Sequence, residues 1–179
     1  MSITKKYRHP EFMVDSLFET MRLQIVAMQQ FLINRVTTAG PALVIGTTSA
    51  ADIRINVAID YIRDGRKRTQ KAAAEVDVPS GATMADDGTD RSVVVLVYIN
   101  TSDAFAALAG TVAVGGATPT IPELPTGCVQ LGYVTIAAAA GTAFTANSTL
   151  LSAAGITDTY VDELVPQQNW LEPARVGNL

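Results

Sequence analysis

The residue types that most often carry catalysis or bind metals are scarce in this chain. One histidine, His9, and one cysteine, Cys128, are present, and they lie in different segments. A serine or cysteine nucleophile usually needs a histidine to take its proton, and a structural zinc site needs several histidine or cysteine ligands. The sequence therefore predicts neither chemistry. Cys128 lies in an apolar segment and is predicted to be a small buried residue.

Two groups of carboxylates are further candidates for acid–base chemistry or cation binding. The first consists of Asp86, Asp87 and Asp90. The spacing of these aspartates lacks the alternating ligands and the distal glutamate of an EF-hand. We therefore expect a solvated turn rather than a Ca²⁺ site. The second consists of Asp158, Asp162 and Glu163. Paired carboxylates can act as acid and base on a glycosidic bond, but no aromatic sugar platform is evident here.

Two loops contain the glycine and hydroxyl residues that are typical of phosphate sites. Gly46-Thr47-Thr48-Ser49 lacks the lysine of a P-loop, and residues 110–116 lack the glycine spacing of a dinucleotide-binding loop. We therefore predict no cofactor, no bound metal and no small-molecule substrate, and we expect that the protein is not an enzyme.

The positive charges form two clusters although the net charge is −4. The first cluster is Lys5, Lys6 and Arg8, with Tyr7 among them. The second surrounds the turn Asp64-Gly65 and consists of Arg63, Arg66, Lys67, Arg68 and Lys71. A negative net charge argues against a sequence-independent nucleic-acid binder. Each cluster is a solvated surface, a phosphate site or a docking surface for an acidic protein partner.

The composition indicates association with other chains. Only 17% of the residues are charged, against roughly 25% in soluble domains. No window approaches the ~20 consecutive apolar residues of a membrane-spanning helix, so we expect no membrane partner. The low charged fraction is explained if part of the surface becomes buried on association with other chains. We therefore predict an obligate oligomer. No secretory signal is expected at the N-terminus, which predicts assembly in a cytoplasm.

The N-terminal region, residues 1–40, is predicted to be an extended basic arm followed by an amphipathic helix. Ser16 and Glu19 have the spacing of a capping box, and a helix is expected from there to about Thr37. Apolar residues recur at three- and four-residue steps along it. This stripe covers a sheet of its own subunit or pairs with the same helix of neighbouring subunits.

Residues 41–164 are predicted to form a β-rich domain. Alternation over residues 53–61 indicates a strand, Asp64-Gly65 a tight hairpin turn, and residues 69–78 the return strand. Residues 92–100 are apolar on both faces, as in a central strand or one held between subunits. Further strands are expected at 109–114, at 129–136 and around Phe144, and a short helical turn at 103–108.

The predicted fold class is mainly β, an antiparallel sandwich or jelly-roll-like domain with an N-terminal amphipathic helix and extended arms. Pro119, Pro122 and Pro125 favour a stiff, extended strap that lies over a surface. Residues 165–179 are predicted to be an extended tail. Trp170 in that tail folds back onto its own domain or anchors on a neighbouring one.

A motif in the second half of the chain resembles small virion structural proteins of tailed bacteriophages. It runs from Leu124-Pro125-Thr126-Gly127 into Leu131-Gly132-Tyr133-Val134 and is followed by Phe144-Thr145 and Thr149-Leu150. The resemblance covers the last third to half of the chain. It is moderately specific to phage structural proteins and only weakly specific to a position in the virion, because head-decoration proteins, head fibres and tail fibres share such segments.

The resemblance implies a homotrimer that decorates and stabilises a capsid. Head-decoration members act as cement that bridges neighbouring capsomers, so the implied partners are further copies of this chain and the major capsid protein. The implied location is the capsid surface of the virion, after assembly in the host cytoplasm. The alternative is a short head or tail fibre or a receptor-binding tip. The predicted partner-binding residues are Lys5, Lys6, Tyr7, Arg8, Arg63, Arg66, Lys67, Arg68 and Trp170.

Overall fold

A computed structural model of the chain describes Phe18 and residues 20–22, 34–37 and 40–162. Within these residues the protein is mainly β, as predicted, and its strands form three antiparallel sheets. The strands are β1 (Arg35–Val36), β2 (Leu43–Ile45), β3 (Ile53–Ile55), β4 (Tyr61–Arg63), β5 (Arg66–Lys67), β6 (Ala74–Val76), β7 (Arg91–Ile99), β8 (Phe105–Ala109), β9 (Ala113–Val114), β10 (Val129–Ala138) and β11 (Ile156–Asp162). One 3-10 turn spans Ser80–Ala82.

The largest sheet has the order β11-β10-β7-β8, with β9 paired to the start of β7. Strand β7 is central, which confirms the prediction made from its two apolar faces. Val93, Val95, Val97 and Ile99 enter the hydrophobic core. Leu96 points to the opposite face and is also fully buried. Strand β7 is therefore buried on both faces, as its nearly continuous apolar sequence requires.

The two smaller sheets have the orders β1-β4-β5 and β2-β3-β6. The predicted continuous strand at 53–61 is divided between them. Ile59 is buried as the alternation predicts, but Val57 is 37% exposed. The ladder breaks because the chain leaves β3 after Ile55, where Asn56 donates its backbone N–H to the Pro41 carbonyl. It then enters the other small sheet at Tyr61.

Several predicted elements differ from the structure. Residues 103–108 do not form a helical turn, because Phe105–Ala109 pairs with β7 along its full length. The return strand of the hairpin is Arg66–Lys67, whereas Ala74–Val76, within the predicted range 69–78, pairs with β3. The strand expected at 109–114 is reduced to Ala113–Val114. Phe144 makes a single bridge, to Met84.

Both ends of the described structure differ from the prediction. Strand β11 was not predicted, yet it pairs with β10 over seven residues. At the other end, β structure already begins at Arg35, ahead of residue 41. Of the predicted helix, Phe18 and residues 20–22 are helical. Its predicted end near Thr37 is wrong, because Arg35–Val36 pairs with β4 as a strand. The other residues of the predicted helix, up to residue 33, lie outside the described residues. None of the described helix is long and apolar enough to cross a membrane.

All three sheets contribute side chains to one hydrophobic core. Val36 and Tyr61 enter it from one small sheet, Leu43 and Ile53 from the other, and Val134 from the large sheet. Cys128 is 4% exposed beside this core, which confirms its predicted burial. This shared core fixes the two small sheets to the large one. The loops and hairpins of the small sheets are held in place as a result.

Gly132 marks a position where the large sheet and β2 approach too closely for a side chain. It lies at a register shift in the pairing of β10 with β7. A Cβ atom built there would collide with the Val161 carbonyl oxygen and stand 2.8 Å from Leu43 Cδ1. Only glycine fits without moving one of these strands.

We therefore expect Gly132→Ala to lower the free energy of unfolding by about 1–3 kcal/mol, the usual effect of overpacking. Urea denaturation monitored by circular dichroism would measure it. Gly81→Ala is the matched control, because there the nearest atom is the Ala109 side chain at 3.3 Å. Equal losses in the two variants would contradict the close-approach explanation.

Candidate partner-binding surface

The second cationic cluster lies on a tight β-hairpin formed by β4 and β5. Arg63 pairs with Arg66, and Ile62 with Lys67. Asp64 and Gly65 connect them with φ angles of 53° and 70°. Positive φ at both central residues matches the twist of two-residue hairpins. The turn predicted from Asp64-Gly65 is confirmed.

Arg63 points into the protein rather than outward, so its predicted position at the surface is wrong. The residue is 6% exposed. Its Nη1 atom lies 2.8 Å from the Asn100 carbonyl oxygen and 2.6 Å from Asp103 Oδ1, and its Nη2 atom lies 3.2 Å from Asp103 Oδ2. Strand alternation places Arg63 on the same face as Tyr61, and a buried guanidinium is tolerated because its donors are paired.

Tyr61 completes this network from the same strand. Its hydroxyl donates to Asp103 Oδ1 at 2.6 Å. Burial and this acceptor together raise the pKa of Tyr61 to about 12. The hydrogen bond from Tyr61 and the nearby charge of Arg63 lower the pKa of Asp103. At neutral pH the phenol thus stays protonated and the carboxylate ionised, so the network anchors the hairpin to the β7–β8 turn.

The opposite face of the hairpin sheet carries exposed cations. Arg35 of β1 and Lys67 of β5 both pair with Ile62 of β4, so the three side chains lie side by side. We call Arg35, Ile62 and Lys67 the hairpin face. Both cations are exposed, and neither makes an ion pair within the described part of the chain. Arg35 was missed because it joins this face only through the long-range pairing of β1 with β4.

The other predicted cations of the hairpin occupy different environments. Arg66 is exposed near the turn. Arg68 is partly buried, and its Nη2 atom lies 3.4 Å from Asp64 Oδ2. Lys71 Nζ stands 5.8 Å from the centre of the Phe105 ring, within the range of a cation–π contact. Because Arg66 pairs with Arg63, it lies on the same face of the sheet as Arg63 and not on the hairpin face.

The aspartate loop at 86–90 uses its carboxylates within the protein. Asp86 accepts the backbone N–H of Gly88, and Asp90 that of Ala140 at 2.8 Å. Asp87 pairs with Arg91, which lowers the pKa of Asp87. Among the described residues, no three potential metal ligands come together.

The carboxylates of β11 are separated along an extended strand. Four residues of strand span about 13 Å, whereas glycosidase carboxylates lie roughly 5–9.5 Å apart. Asp162 Oδ1 moreover accepts the Leu43 backbone N–H at 2.8 Å. Burial, followed by the nearby Asp158 carboxylate, raises the pKa of the Tyr160 hydroxyl. Glu163 lies outside the described residues.

The remaining predicted partner-binding residues, Lys5, Lys6, Tyr7, Arg8 and Trp170, also lie outside the described residues, so their roles stay predictions. The structure brings Lys67 and the additional residue Arg35 together on the hairpin face. It leaves Arg66 exposed beside the turn and withdraws Arg63 into an anchor. Comparisons with protein-family models, with curated proteins and with solved structures each gave no match.

Proposed function

We propose that this protein is a structural component of a tailed-bacteriophage virion that decorates the capsid and bridges neighbouring capsomers. The proposal joins the resemblance of the Leu124-to-Leu150 motif to one feature of the structure. That feature is the hairpin face, whose cations are exposed while Tyr61 and Arg63 fix the hairpin beneath it.

A fixed cationic surface suits binding to an acidic protein shell. Because the hairpin is held by buried contacts, little backbone entropy is lost when it docks. Exposed ion pairs contribute only about 0.2–1 kcal/mol each, so one hairpin binds weakly. Three hairpins on a homotrimer bind with high avidity, because the second and third contacts are intramolecular. The N-terminal arm, with Lys5, Lys6 and Arg8, adds a second cationic contact in this proposal.

The proposed mechanical role also fits a layered body. We propose that the large sheet forms one layer and the two small sheets the other, as in a sandwich. The shared core, which includes Ile53, Tyr61 and Val134, supports this arrangement. A rigid body with its binding surface on one hairpin transmits load between capsomers without unfolding.

The decisive test is where the protein binds on a virion. Purified protein is mixed with phage heads that lack both tails and this protein, and bound protein is measured by co-sedimentation and located by electron cryo-microscopy. We expect saturable binding at regular positions of the shell that weakens as salt rises. Binding to host cells but not to heads would instead support the fibre or receptor-binding tip.

A further inference from the structure

The loop between β2 and β3 surrounds one carboxylate with hydrogen-bond donors. The backbone N–H groups of Thr47 and Thr48 lie 2.7 and 2.8 Å from Glu75 Oε1, and that of Ser49 lies 3.3 Å from Oε2. The Thr47 hydroxyl adds a donor at 3.0 Å, and Arg54 Nη1 adds another at 3.4 Å. We call residues 46–49 the donor loop.

The donors have the chemistry of an oxyanion site. Successive backbone N–H groups that converge on one point form a concave nest for anions, as in phosphate-binding loops. The backbone N–H of Thr48 is the largest of the causes that lower the pKa of Glu75 to about 2. The sequence argument against a phosphate loop rested on a missing lysine, yet here Arg54 supplies a cation from the neighbouring strand.

The donor loop is held in shape by bonds that do not involve Glu75. The Gly46 N–H donates to the Asp52 carbonyl at 2.8 Å, and the Asp52 N–H donates to the Ser49 carbonyl at 3.0 Å. A side chain at Gly46 would collide with that same Ser49 carbonyl oxygen. The loop is therefore pre-organised, and its donors should keep their positions when the carboxylate is removed.

We propose that the donor loop is an oxyanion-binding site for phosphate or carboxylate groups that Glu75 occupies as an internal ligand. Glu75 has a high effective concentration at the site because it is part of the same chain. It therefore excludes free anions from the wild-type protein, and removing its side chain opens the site to an external one. This inference does not depend on the proposed role in a virion.

The test compares Glu75→Ala with wild type and with Glu123→Ala. Glu123 is exposed and makes no hydrogen bond or ion pair in the described structure, so it controls for the lost charge. Inorganic phosphate, acetate and chloride are titrated at constant ionic strength while the amide NMR signals of residues 47–49 are followed. We expect saturable shifts with phosphate and acetate in Glu75→Ala alone.

Phosphate should also stabilise that variant. At a concentration tenfold above its Kd, we expect a rise in Tm of roughly 3–6 °C that is absent from wild type and Glu123→Ala. A folded Glu75→Ala without saturable shifts at residues 47–49 would overturn the proposal. Glu75→Ser serves as a second variant. If neither variant folds, the proposal fails too, because it requires a loop that keeps its shape without the carboxylate.

Discussion

Asp103→Ala is expected to lower the free energy of unfolding by about 2–3 kcal/mol. The change leaves the buried Arg63 guanidinium without its counter-ion and the Tyr61 hydroxyl without its acceptor. Breaking a buried ion pair costs about 3–5 kcal/mol, but the Asp103 side chain is 37% exposed, so water reduces the loss. Alanine at φ 59° adds backbone strain. Urea denaturation at pH 7 measures the effect.

Two variants separate the contributions to this loss. Asp103→Asn keeps an acceptor for Tyr61 and tolerates positive φ, so it removes only the charge and should lose less stability than Asp103→Ala. In Arg63→Met with Asp103→Ala no buried charge is left unpaired, and the combined loss should be smaller than the sum of the two single losses. Strict additivity would show that Arg63 and Asp103 do not stabilise each other.

The same network predicts how stability changes with pH. The pKa of Asp103 lies below its ordinary value of 3.8 in the folded protein. Its contribution is therefore present above that ordinary value and is lost as pH falls through the folded pKa. For Tyr61 the folded pKa is raised from 10.0 to about 12, so that contribution is present below pH 10.0 and is lost as pH rises toward 12. The difference between wild type and Asp103→Asn should accordingly shrink in acid.

Local sequence patterns predicted some elements because the signal and the structure involve the same residues. Aspartate and glycine adopt positive φ at low cost, so the Asp64-Gly65 pair predicts its own turn. The apolar run at 92–100 must be buried on both faces in any fold. The strand Phe105–Ala109 lacks such a signal, since alanine suits a helix as well as an edge position. Its conformation is decided by pairing with β7 and by the Asn100 side chain, which accepts the backbone N–H groups of Ser102 and Ala104.

The candidate sites were harder to predict because their partners are distant in sequence. The alternation, if extended from Tyr61, would place Arg63 on the buried face, but charged residues are rarely buried without a partner. That partner, Asp103, lies 40 residues away. The donor loop was similarly missed because its anion is Glu75 of β6, a strand that closes on the loop only in the folded sheet. Arg35 joined the hairpin face through the same kind of long-range pairing.

Removing the two charges of the hairpin face should weaken binding to capsids by about a hundredfold, if the proposed function holds. The variant is Arg35→Gln with Lys67→Gln. In a trimer it removes six cations, and at about 0.5 kcal/mol for each exposed pair the loss is about 3 kcal/mol. The fold should not change, because both side chains are exposed and neither makes an ion pair in the described structure. Co-sedimentation with heads over a range of salt concentrations gives the affinity.

A control with the same net charge distinguishes a specific surface from a general electrostatic effect. Thr126→Glu with Ala140→Glu also lowers the charge by two, but both residues are exposed outside the hairpin sheet. Its binding should remain close to that of wild type, whereas the hairpin variant should bind weakly and with a smaller salt dependence. Deleting residues 1–10 tests the arm in the same assay and is expected to lower occupancy greatly while the trimer stays folded. If that deletion abolishes binding and the hairpin variant binds like wild type, attachment depends on the arm and the hairpin face has another role.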